Sequence, residues 1–240
     1  MSHNTGRHLR KLAIVVCGAA VAVTFSVTPA SAALEEPTKY GNPGDQPVIG
    51  DWSGFGSDDI GVYRPNSSTF YTPEYPGGSR YGNPHDVPFS GDWNGDGYDT
   101  VGVYRPGEQN FYRVGFSAPT RYGNPGDVPI VGDWNGNGAD ELGVYRPNNQ
   151  TFYPYPDASA DVRYGNPGDI PIAGDWNGDG IDTFGVYRPS EQNFYRIGFA
   201  QPTKFGNPGD IPIVGDWNGN GADELGVYRP NNQTFYPYKG

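Results

Sequence analysis

The sequence predicts an all-β protein, a five-bladed β-propeller built from five four-stranded repeats of 41 or 42 residues. Three observations carry this prediction. The pentapeptide Gly-Asp-Trp-x-Gly occurs five times at intervals of 41, 41, 42 and 41 residues, glycine and proline recur at fixed places within each interval, and 15% of the residues are aromatic. No window shows a sustained helical period. The tryptophans of the five pentapeptides are Trp52, Trp93, Trp134, Trp176 and Trp217.

Residues 1–32 have the pattern of a secretory signal peptide. Basic residues within 7–11 precede an apolar stretch over 12–27, which is too short for a membrane span, and small residues follow at 29–32. We therefore expect cleavage after residue 32, a secreted extracellular protein, and one propeller domain over 33–240.

The charge of the mature chain narrows the classes of partner. Residues 1–32 contain three basic residues, no acidic ones, and the only cysteine and methionine, so 13 basic and 27 acidic residues remain and the net charge becomes −14. Such a surface repels nucleic acid and anionic lipid, so we expect neither nucleic-acid binding nor membrane insertion. A secreted domain without disulfides needs another source of rigidity, for which a bound metal is a candidate. We expect a monomer.

The third repeat shows how each blade is predicted. Extended segments over 127–134, 141–147, 151–155 and 162–164 are separated by Asn-Gly, Asn-Asn and other turn-forming residues. Runs of β-branched and aromatic residues between such turns are typical of antiparallel hairpins. Four short strands in about forty residues make one propeller blade. The repeats begin at Tyr40, Tyr81, Tyr122, Tyr164 and Phe205.

The two ends of the repeat array predict a closed ring. The last repeat lacks its fourth strand, and the missing segment, found at 202–205 in the preceding repeat, has its counterpart at 37–40. The N-terminal strand can therefore complete the last blade and remove the exposed sheet edges. Repeats two and four also share Glu-Gln-Asn-Phe-Tyr-Arg, whereas repeats three and five share Asn-Asn-Gln-Thr-Phe-Tyr. This alternation suggests duplication of a two-blade segment that carries two kinds of surface.

An eight-residue acidic loop begins at the aspartate of each pentapeptide. In repeat two it offers side-chain oxygens at positions 1, 3, 5 and 8, a glycine at position 6 and a backbone carbonyl at position 7. A hard cation takes six to eight oxygens, and alternate side chains of a tight turn can converge on one point, so the pattern predicts calcium binding. The predicted ligands are Asp92, Asn94, Asp96, Tyr98 and Asp99; Asp133, Asn135, Asn137, Ala139 and Asp140; Asp175, Asn177, Asp179, Ile181 and Asp182; and Asp216, Asn218, Asn220, Ala222 and Asp223.

The five loops are not expected to bind equally. Asn137 and Asn220 replace the aspartate at position 5, which keeps an oxygen and loses a charge, so we expect weaker sites in repeats three and five. In repeat one Phe55 cannot ligate and Ser53 is a poor ligand, so that loop is expected to be metal-free or very weak. The chain would thus hold up to four Ca²⁺ ions. The alternative is that these residues only form Asx-turns in hairpins.

The loop Gly-Asp-Trp-Asn-Gly-Asp-Gly and the following Gly-Val-Tyr-Arg-Pro together resemble the FG-GAP and VCBS-type repeats of integrin α-subunit heads and of many secreted bacterial proteins, over essentially all of 33–240. The resemblance implies a β-propeller whose loop between the first and second strands binds calcium, here through Asp92, Asn94 and Asp96. The last carboxylate of that family commonly stands at position 9, so positions 8 and 9 both stay open for the final ligand. The propellers of that family function in adhesion and glycan binding, and as accessory modules of enzymes. Position 9 is Thr100, Glu141, Thr183 or Glu224.

Three other repeated features are candidates for structure or for recognition. The tryptophans are expected to pack between adjacent blades rather than to stack on sugars. The arginine of each Val-Tyr-Arg-Pro segment is expected to pair with a repeated aspartate such as Asp127, with a ligand role as the alternative. The Phe-Tyr pairs of the third strands place one aromatic residue on each sheet face, and their tyrosines are the predicted ligand-binding surface. These tyrosines are Tyr71, Tyr112, Tyr153, Tyr195 and Tyr236.

The sequence offers little for catalysis. The one histidine after residue 32, His85, stands where other repeats have glycine and is interpreted as a tolerated turn substitution. A glycan-active hydrolase would bring non-repeated carboxylates into one pocket, and nearly every acid here is repeated. We therefore expect a non-catalytic calcium-binding module for glycans or cell-surface polymers, acting through several equivalent sites. The second hypothesis is a protein-binding or inhibitory propeller, with an asymmetric apolar patch near repeat one or the link 156–161; the hydrolase is the third.

Overall fold

The computed structural model describes residues 36–157 and 160–239 and confirms the predicted five-bladed β-propeller. Each blade is a four-stranded antiparallel sheet; in four blades the strands lie in chain order, and in the fifth the N-terminal strand of the described residues completes three consecutive strands. The predicted signal peptide, residues 1–32, lies outside the described residues. No helix in the described residues is long and apolar enough to cross a membrane.

Twenty strands, numbered β1 to β20 in chain order, make up the blades. Each blade runs from an inner strand at the ring axis to a two-residue outer strand. The first two blades contain β2 (Gln46–Gly50), β3 (Asp59–Arg64), β4 (Thr69–Tyr71) and β5 (Ser79–Arg80), then β6 (Val87–Gly91), β7 (Thr100–Arg105), β8 (Asn110–Arg113) and β9 (Thr120–Arg121). The third and fourth contain β10 (Val128–Gly132), β11 (Glu141–Arg146), β12 (Thr151–Pro154) and β13 (Val162–Arg163), then β14 (Ile170–Gly174), β15 (Thr183–Arg188), β16 (Asn193–Arg196) and β17 (Thr203–Lys204). The fifth contains β18 (Ile211–Gly215), β19 (Glu224–Arg229), β20 (Thr234–Pro237) and β1 (Thr38–Lys39).

The N-terminal strand closes the ring, as the sequence predicts. Strand β1 pairs antiparallel with β20, with Thr38 opposite Phe235 and Lys39 opposite Thr234. The inner strands β2 and β18 of the first and last blades are in contact, so the five inner strands surround a central channel. Strand β1 contributes only two residues to this pairing. Just beyond them, the Tyr40 amide donates a hydrogen bond to the Gln233 carbonyl at 2.9 Å.

The core consists of five apolar clusters, each lying between two neighbouring blades. In one cluster Tyr104 and Phe111 of the second blade pack against Leu142 and Val144 of the third. The second-strand tyrosines and third-strand phenylalanines are almost fully buried in every blade. All five tryptophans join these clusters, with Trp217 of the fifth blade in the same cluster as Val62 of the first, which confirms their predicted packing between blades. The fully buried tyrosines are Tyr63, Tyr104, Tyr145, Tyr187 and Tyr228.

The two ends of the ring differ in chemistry. We call one end the acidic-loop face, because it carries the loops 51–58, 92–99, 133–140, 175–182 and 216–223 that join first and second strands. The opposite end is the arginine face, because the second strands finish there in arginine beside the loops that connect consecutive blades. Those connecting loops are 40–45, 81–86, 122–127, 164–169 and 205–210.

Candidate functional site

Each acidic loop is closed by its first aspartate. In repeat two, Asp92 Oδ1 accepts hydrogen bonds from the amides of Asn94, Gly95 and Asp96 at 2.8–3.3 Å, and Asp92 Oδ2 accepts one from Gly97 at 2.7 Å. The amides at positions 5 and 6 donate to the position-1 carboxylate in all five repeats. The loops are therefore Asx-type turns in their own right, and this internal bonding presets the backbone around the carboxylate.

The side chains at positions 3 and 5 also meet. Asn94 Nδ2 donates to Asp96 Oδ2 at 3.1 Å, and Asp96 Oδ1 accepts from the Tyr98 amide at 3.1 Å. Repeat four repeats these contacts with Asn177, Asp179 and Ile181. The structure thus brings together the predicted ligands at positions 1, 3 and 5. In repeats three to five the side chains at position 7 carry no oxygen, and in repeat two the Tyr98 ring lies against Gly54 of the first blade, so position 7 of these four loops can supply its carbonyl.

Position 9 folds back into the loop in repeats three and five. Glu141 Oε1 accepts hydrogen bonds from the side-chain Nδ2 atoms of Asn135 and Asn137, the second at 3.3 Å. Glu141 Oε2 accepts one from the backbone amide of Trp134 at 3.0 Å. Glu224 makes the equivalent contacts in repeat five. The side chains at positions 3, 5 and 9 therefore meet at one point through Nδ2 donors, and a cation there would need the asparagine amides turned so that their oxygens face it.

Position 9 also holds unpaired buried oxygens in repeats one and two. Asp59 Oδ2 and Thr100 Oγ1 are buried and have no hydrogen-bond partner among the described residues. Burial, reinforced by Asp51, raises the pKa of Asp59 to about 6. Within residues 36–157 and 160–239 no group of three or more His, Cys, Asp or Glu side chains is arranged to hold a metal. A calcium ion would therefore also draw on amide and carbonyl oxygens, which this donor set provides.

In every repeat, two of the three loop positions 1, 5 and 9 hold a carboxylate. Where position 5 is aspartate, position 9 is threonine, and where position 5 is asparagine, position 9 is glutamate. The charge lost at Asn137 and Asn220 is thus restored by glutamate, which removes the reason for expecting weaker sites in repeats three and five. The pairs are Asp51 and Asp59, Asp92 and Asp96, Asp133 and Glu141, Asp175 and Asp179, and Asp216 and Glu224.

The aspartates at position 8 join neighbouring blades. The Asp99 amide donates to the Asp51 carbonyl at 2.9 Å, and Asp99 Oδ2 accepts from the Asp51 amide at 3.0 Å. The same reciprocal pair recurs at all five blade boundaries. It explains the glycine of each pentapeptide, because a Cβ on Gly50 would lie 2.5 Å from Asp99 Oδ2. We call these five residues the acidic ring: Asp58, Asp99, Asp140, Asp182 and Asp223.

The acidic ring lines the channel at the acidic-loop face. The carboxylates surround a cavity of about 310 Å³ together with aspartates from position 1. A second cavity of about 570 Å³ runs along the inner strands past apolar side chains such as Ile49 and Val131. Burial, reinforced by the neighbouring ring members, raises the pKa of Asp140 and Asp182 to about 8 and that of the other three well above the ordinary value. The ring therefore favours protons or cations.

The arginine face carries the predicted ion pairs. Arg146 Nε and Nη2 each donate to Asp127 at 2.9 Å, and the Asp127 side chain is only 1% exposed. The guanidinium also stacks on Tyr153, with Cζ 4.3 Å from the ring centroid. All five blades repeat the ion pair and the stack, which confirms the predicted pairing of arginine and aspartate. The predicted ligand-binding tyrosines are thus half-buried, with one ring face covered by arginine.

Open clefts lie beside these stacks. In the third blade a cleft of about 400 Å³ is lined by Arg146, Tyr153 and the Tyr122 loop, and in the fourth a cleft of about 210 Å³ is lined by Arg188 and Tyr195. The tyrosine hydroxyls distinguish alternate blades. Those of the second and fourth blades donate to Glu108 and Glu191, whereas those of the third and fifth accept from Asn149 and Asn232. The sequence alternation therefore does place two kinds of surface around the ring.

Sequence comparison adds no family to this description: neither the models of protein families nor the curated proteins that were searched match the chain. The class is defined by its geometry alone, as a five-bladed propeller with repeated acidic loops. Of the two positions left open for the final ligand, position 9 brings Glu141 and Glu224 against the side chains at positions 3 and 5. Asp59, the carboxylate at position 9 of repeat one, is absent from the predicted ligands, and its place in the repeat is the signal that could have pointed to it.

Proposed function

We propose that this protein is a secreted, calcium-binding β-propeller that binds glycans or cell-surface polymers without converting them chemically. The observation that supports this best is the arginine stacked on a tyrosine on the arginine face of all five blades. An aromatic ring beside fixed hydrogen-bonding groups suits the apolar and hydroxyl-bearing sides of a sugar. Five equivalent positions on one face would reinforce one another on a polymeric ligand.

The glycan proposal is tested by screening the purified protein on a glycan array in calcium buffer and measuring each hit by calorimetry. The combined variant Tyr153→Ala and Tyr195→Ala removes the two tyrosines that stack on arginine beside the clefts. It is expected to weaken glycan binding by about tenfold or more. Tyr98→Ala, on the acidic-loop face, is the matched control and should bind as the parent does. Equal binding by the double variant and the parent would reject the arginine face as the glycan site.

Calcium binding by the acidic loops is the second part of the proposal. Convergence of positions 3, 5 and 9 and two carboxylates in each loop support it, and repeat one, with Phe55 and Ser53, is proposed to be weakest. Thermal unfolding with calcium and with EGTA, together with elemental analysis, tests it. We expect two to four ions per chain and a higher Tm with calcium, because a ligand that binds only the folded state stabilises it. No bound metal and no shift would leave the loops as Asx-turns.

A protein partner is the second candidate function, and one surface feature favours it. Phe55 is 78% exposed and Tyr98 is 53% exposed, both on the acidic-loop face of the first two blades. The Tyr98 ring lies over Gly54, so close that a Cβ there would sit 2.5 Å from the ring. An exposed apolar patch of this kind, present in repeat one, supports a protein ligand. Loss of a pulled-down partner with Phe55→Ser, but not with Tyr153→Ala, would support this candidate.

The acidic ring bears on the third hypothesis. A glycoside hydrolase uses two carboxyl groups in different roles, so their surroundings must differ. The carboxylates of the acidic ring make the same backbone contacts at all five blade boundaries. This equivalence supports a non-catalytic role.

A further inference from the structure

Two half-buried arginines outside the ion-paired set have no carboxylate partner in the described part of the chain. Arg113, at the end of β8, donates to Thr120 Oγ1 at 3.0 Å, and Arg196, at the end of β16, donates to Thr203 Oγ1 at 3.2 Å. Arg113 Nε is buried and finds no hydrogen-bond partner among the described residues. An unbalanced, partly buried cation is costly, and the chain's net charge of −11 offers many carboxylates that could have balanced it.

Each of the two guanidinium groups lies close to two aromatic rings. Arg113 Cζ lies 3.9 Å from the Phe116 ring centroid and 5.3 Å from that of Trp93. Arg196 repeats the arrangement at 3.9 Å and 5.5 Å from Phe199 and Trp176. Stacking covers the faces of a guanidinium and leaves its N–H edge, along which a carboxylate or sulfate binds in two parallel hydrogen bonds. The outer rings, Phe116 and Phe199, remain 46% and 44% exposed.

The next blade supplies the other side of each site. Tyr155 lies close enough to Arg113 for its phenol to influence the pKa of the guanidinium, and Tyr238 has the same relation to Arg196. These tyrosines occupy equivalent places in the third and fifth blades, and each packs against a ring at the start of a repeat. The result is two equivalent arginine sites on the acidic-loop face: Arg113 with Phe116 beside Tyr155 of the third blade, and Arg196 with Phe199 beside Tyr238 of the fifth.

The desolvation of these arginines agrees with the geometry. Burial lowers the pKa of both Arg113 and Arg196, whereas hydrogen bonds to aspartate raise the pKa of the five ion-paired arginines. A guanidinium nevertheless stays protonated at neutral pH. The two arginine sites thus hold positive charges that lack a counter-ion among the described residues.

We propose that these two arginine sites bind the carboxylate or sulfate groups of an acidic saccharide, with Arg113 or Arg196 binding the anion and Phe116 or Phe199 stacking on a sugar ring. This inference rests on the proposed glycan binding and names a class of glycan and a second site for it. The net charge of the chain is negative, and the five arginines of the arginine face are already paired with aspartates, so Arg113 and Arg196 are better placed to attract an acidic saccharide. Blades three and five have Pro154 and Pro237 at the equivalent position and therefore lack the arginine.

The test is calorimetry of the full secreted chain with short oligogalacturonates, their methyl esters and sulfated oligosaccharides, in calcium buffer. The esters keep the sugar rings and lose the charge. We expect two sites per chain for a carboxylate or sulfate ligand and at least about tenfold weaker binding of the esters. The double variant Arg113→Gln and Arg196→Gln should weaken acidic-ligand binding by about tenfold or more. Arg121→Gln with Arg163→Gln, which removes two exposed arginines, should change it less than about twofold.

The outcomes separate this inference from the proposed function. Equal binding of acid and ester, or equal binding by the parent and the Arg113→Gln, Arg196→Gln variant, overturns the anion site while leaving glycan binding through the arginine face intact. Binding of no saccharide of any kind rejects both. Loss of binding with an unchanged Tm supports the site, and Arg113→Lys with Arg196→Lys, which keeps the charge and loses the paired donors, is expected to retain an intermediate affinity. A stronger response to sulfated than to carboxylated ligands would assign the anion.

Discussion

Asp58 of the first blade and Asp216 of the fifth bond to each other at the seam of the ring. The Asp58 amide donates to the Asp216 carbonyl at 2.8 Å, and the Asp216 amide donates to Asp58 Oδ2 at 2.9 Å. The two residues are separated by 158 positions in sequence, yet their geometry matches that of the four other blade boundaries. Closure therefore depends on the same contact that holds every pair of blades.

The seam contact predicts different effects for two substitutions of Asp58. Asp58→Ala removes the acceptor for the Asp216 amide and is expected to lower the free energy of unfolding by about 1–3 kcal/mol. Asp58→Asn keeps an acceptor oxygen and removes a charge from the acidic ring, so it should cost little at pH 8. Urea unfolding of both variants measures the difference, with the exposed Asp161→Ala as control. An equal loss for both variants would mean that the charge, and not the acceptor, matters.

The acidic ring predicts that the calcium-free protein is less stable at pH 8 than at pH 5. The pKa values of Asp140 and Asp182 are raised to about 8 by burial and by their ring neighbours, whereas an unfolded aspartate titrates near 3.9. The folded chain therefore binds more protons than the unfolded chain between these values, and stability falls as pH rises. Calorimetric Tm values in chelator-treated buffer measure it. Asp140→Asn with Asp182→Asn should flatten the profile, and a Tm that rises from pH 5 to pH 8 would contradict the assignment.

Positions 8 and 9 of the acidic loop are predicted to contribute differently to calcium affinity. Glu141→Gln removes a charge that converges with Asn135 and Asn137, so it is expected to weaken calcium binding by repeat three about tenfold. Asp140→Asn preserves the oxygen that accepts from the Asp92 amide and should change the affinity much less. Calorimetric calcium titration of each variant decides between the two positions. A larger loss of calcium affinity with Asp140→Asn than with Glu141→Gln would indicate that the final ligand is at position 8.

His85 is predicted to be a small local cost to stability. It adopts φ of 71°, a left-handed value, where the equivalent residues of the other four repeats are glycine. His85→Gly is expected to raise the free energy of unfolding by about 0.5–1 kcal/mol, because glycine meets this conformation without strain. Thermal or urea unfolding at pH 7 measures the change, with Gly126→His as the reciprocal variant. A stabilised Gly126→His would show that the histidine side chain forms a favourable contact.

The elements of each blade could be predicted from sequence because their signals are local. The predicted segment 141–147 became β11 (Glu141–Arg146), since proline ends the strand directly, and the arginine–aspartate pairs followed from a constant offset within the repeat. The role of Asp99 could not be predicted in this way. Its partner Asp51 lies 48 residues earlier in another blade, so only the tertiary arrangement shows that position 8 joins blades.

The unpaired arginines show a second limit of the sequence. Arg113 stands in the same Phe-Tyr-Arg run as Arg196, and the alternation of repeats marks both of them. Their sequence position separates them from the ion-paired arginines, which lie 19 residues after an aspartate, but it does not show that they have no other carboxylate partner in the described residues. That difference depends on which strand end each arginine occupies.

The pairing of β1 with β20 makes the order of the blades along the chain exchangeable. Residues 36 and 239 lie side by side, joined by an ion pair between Glu36 and Lys239 at 2.5 Å. A short peptide linking them, with new ends opened in the link 155–161, would give a circular permutant with every blade boundary unchanged. The location of the chain ends would then depend only on where the backbone is cut and joined. A second domain could therefore be attached at another blade while the contacts between blades stay the same.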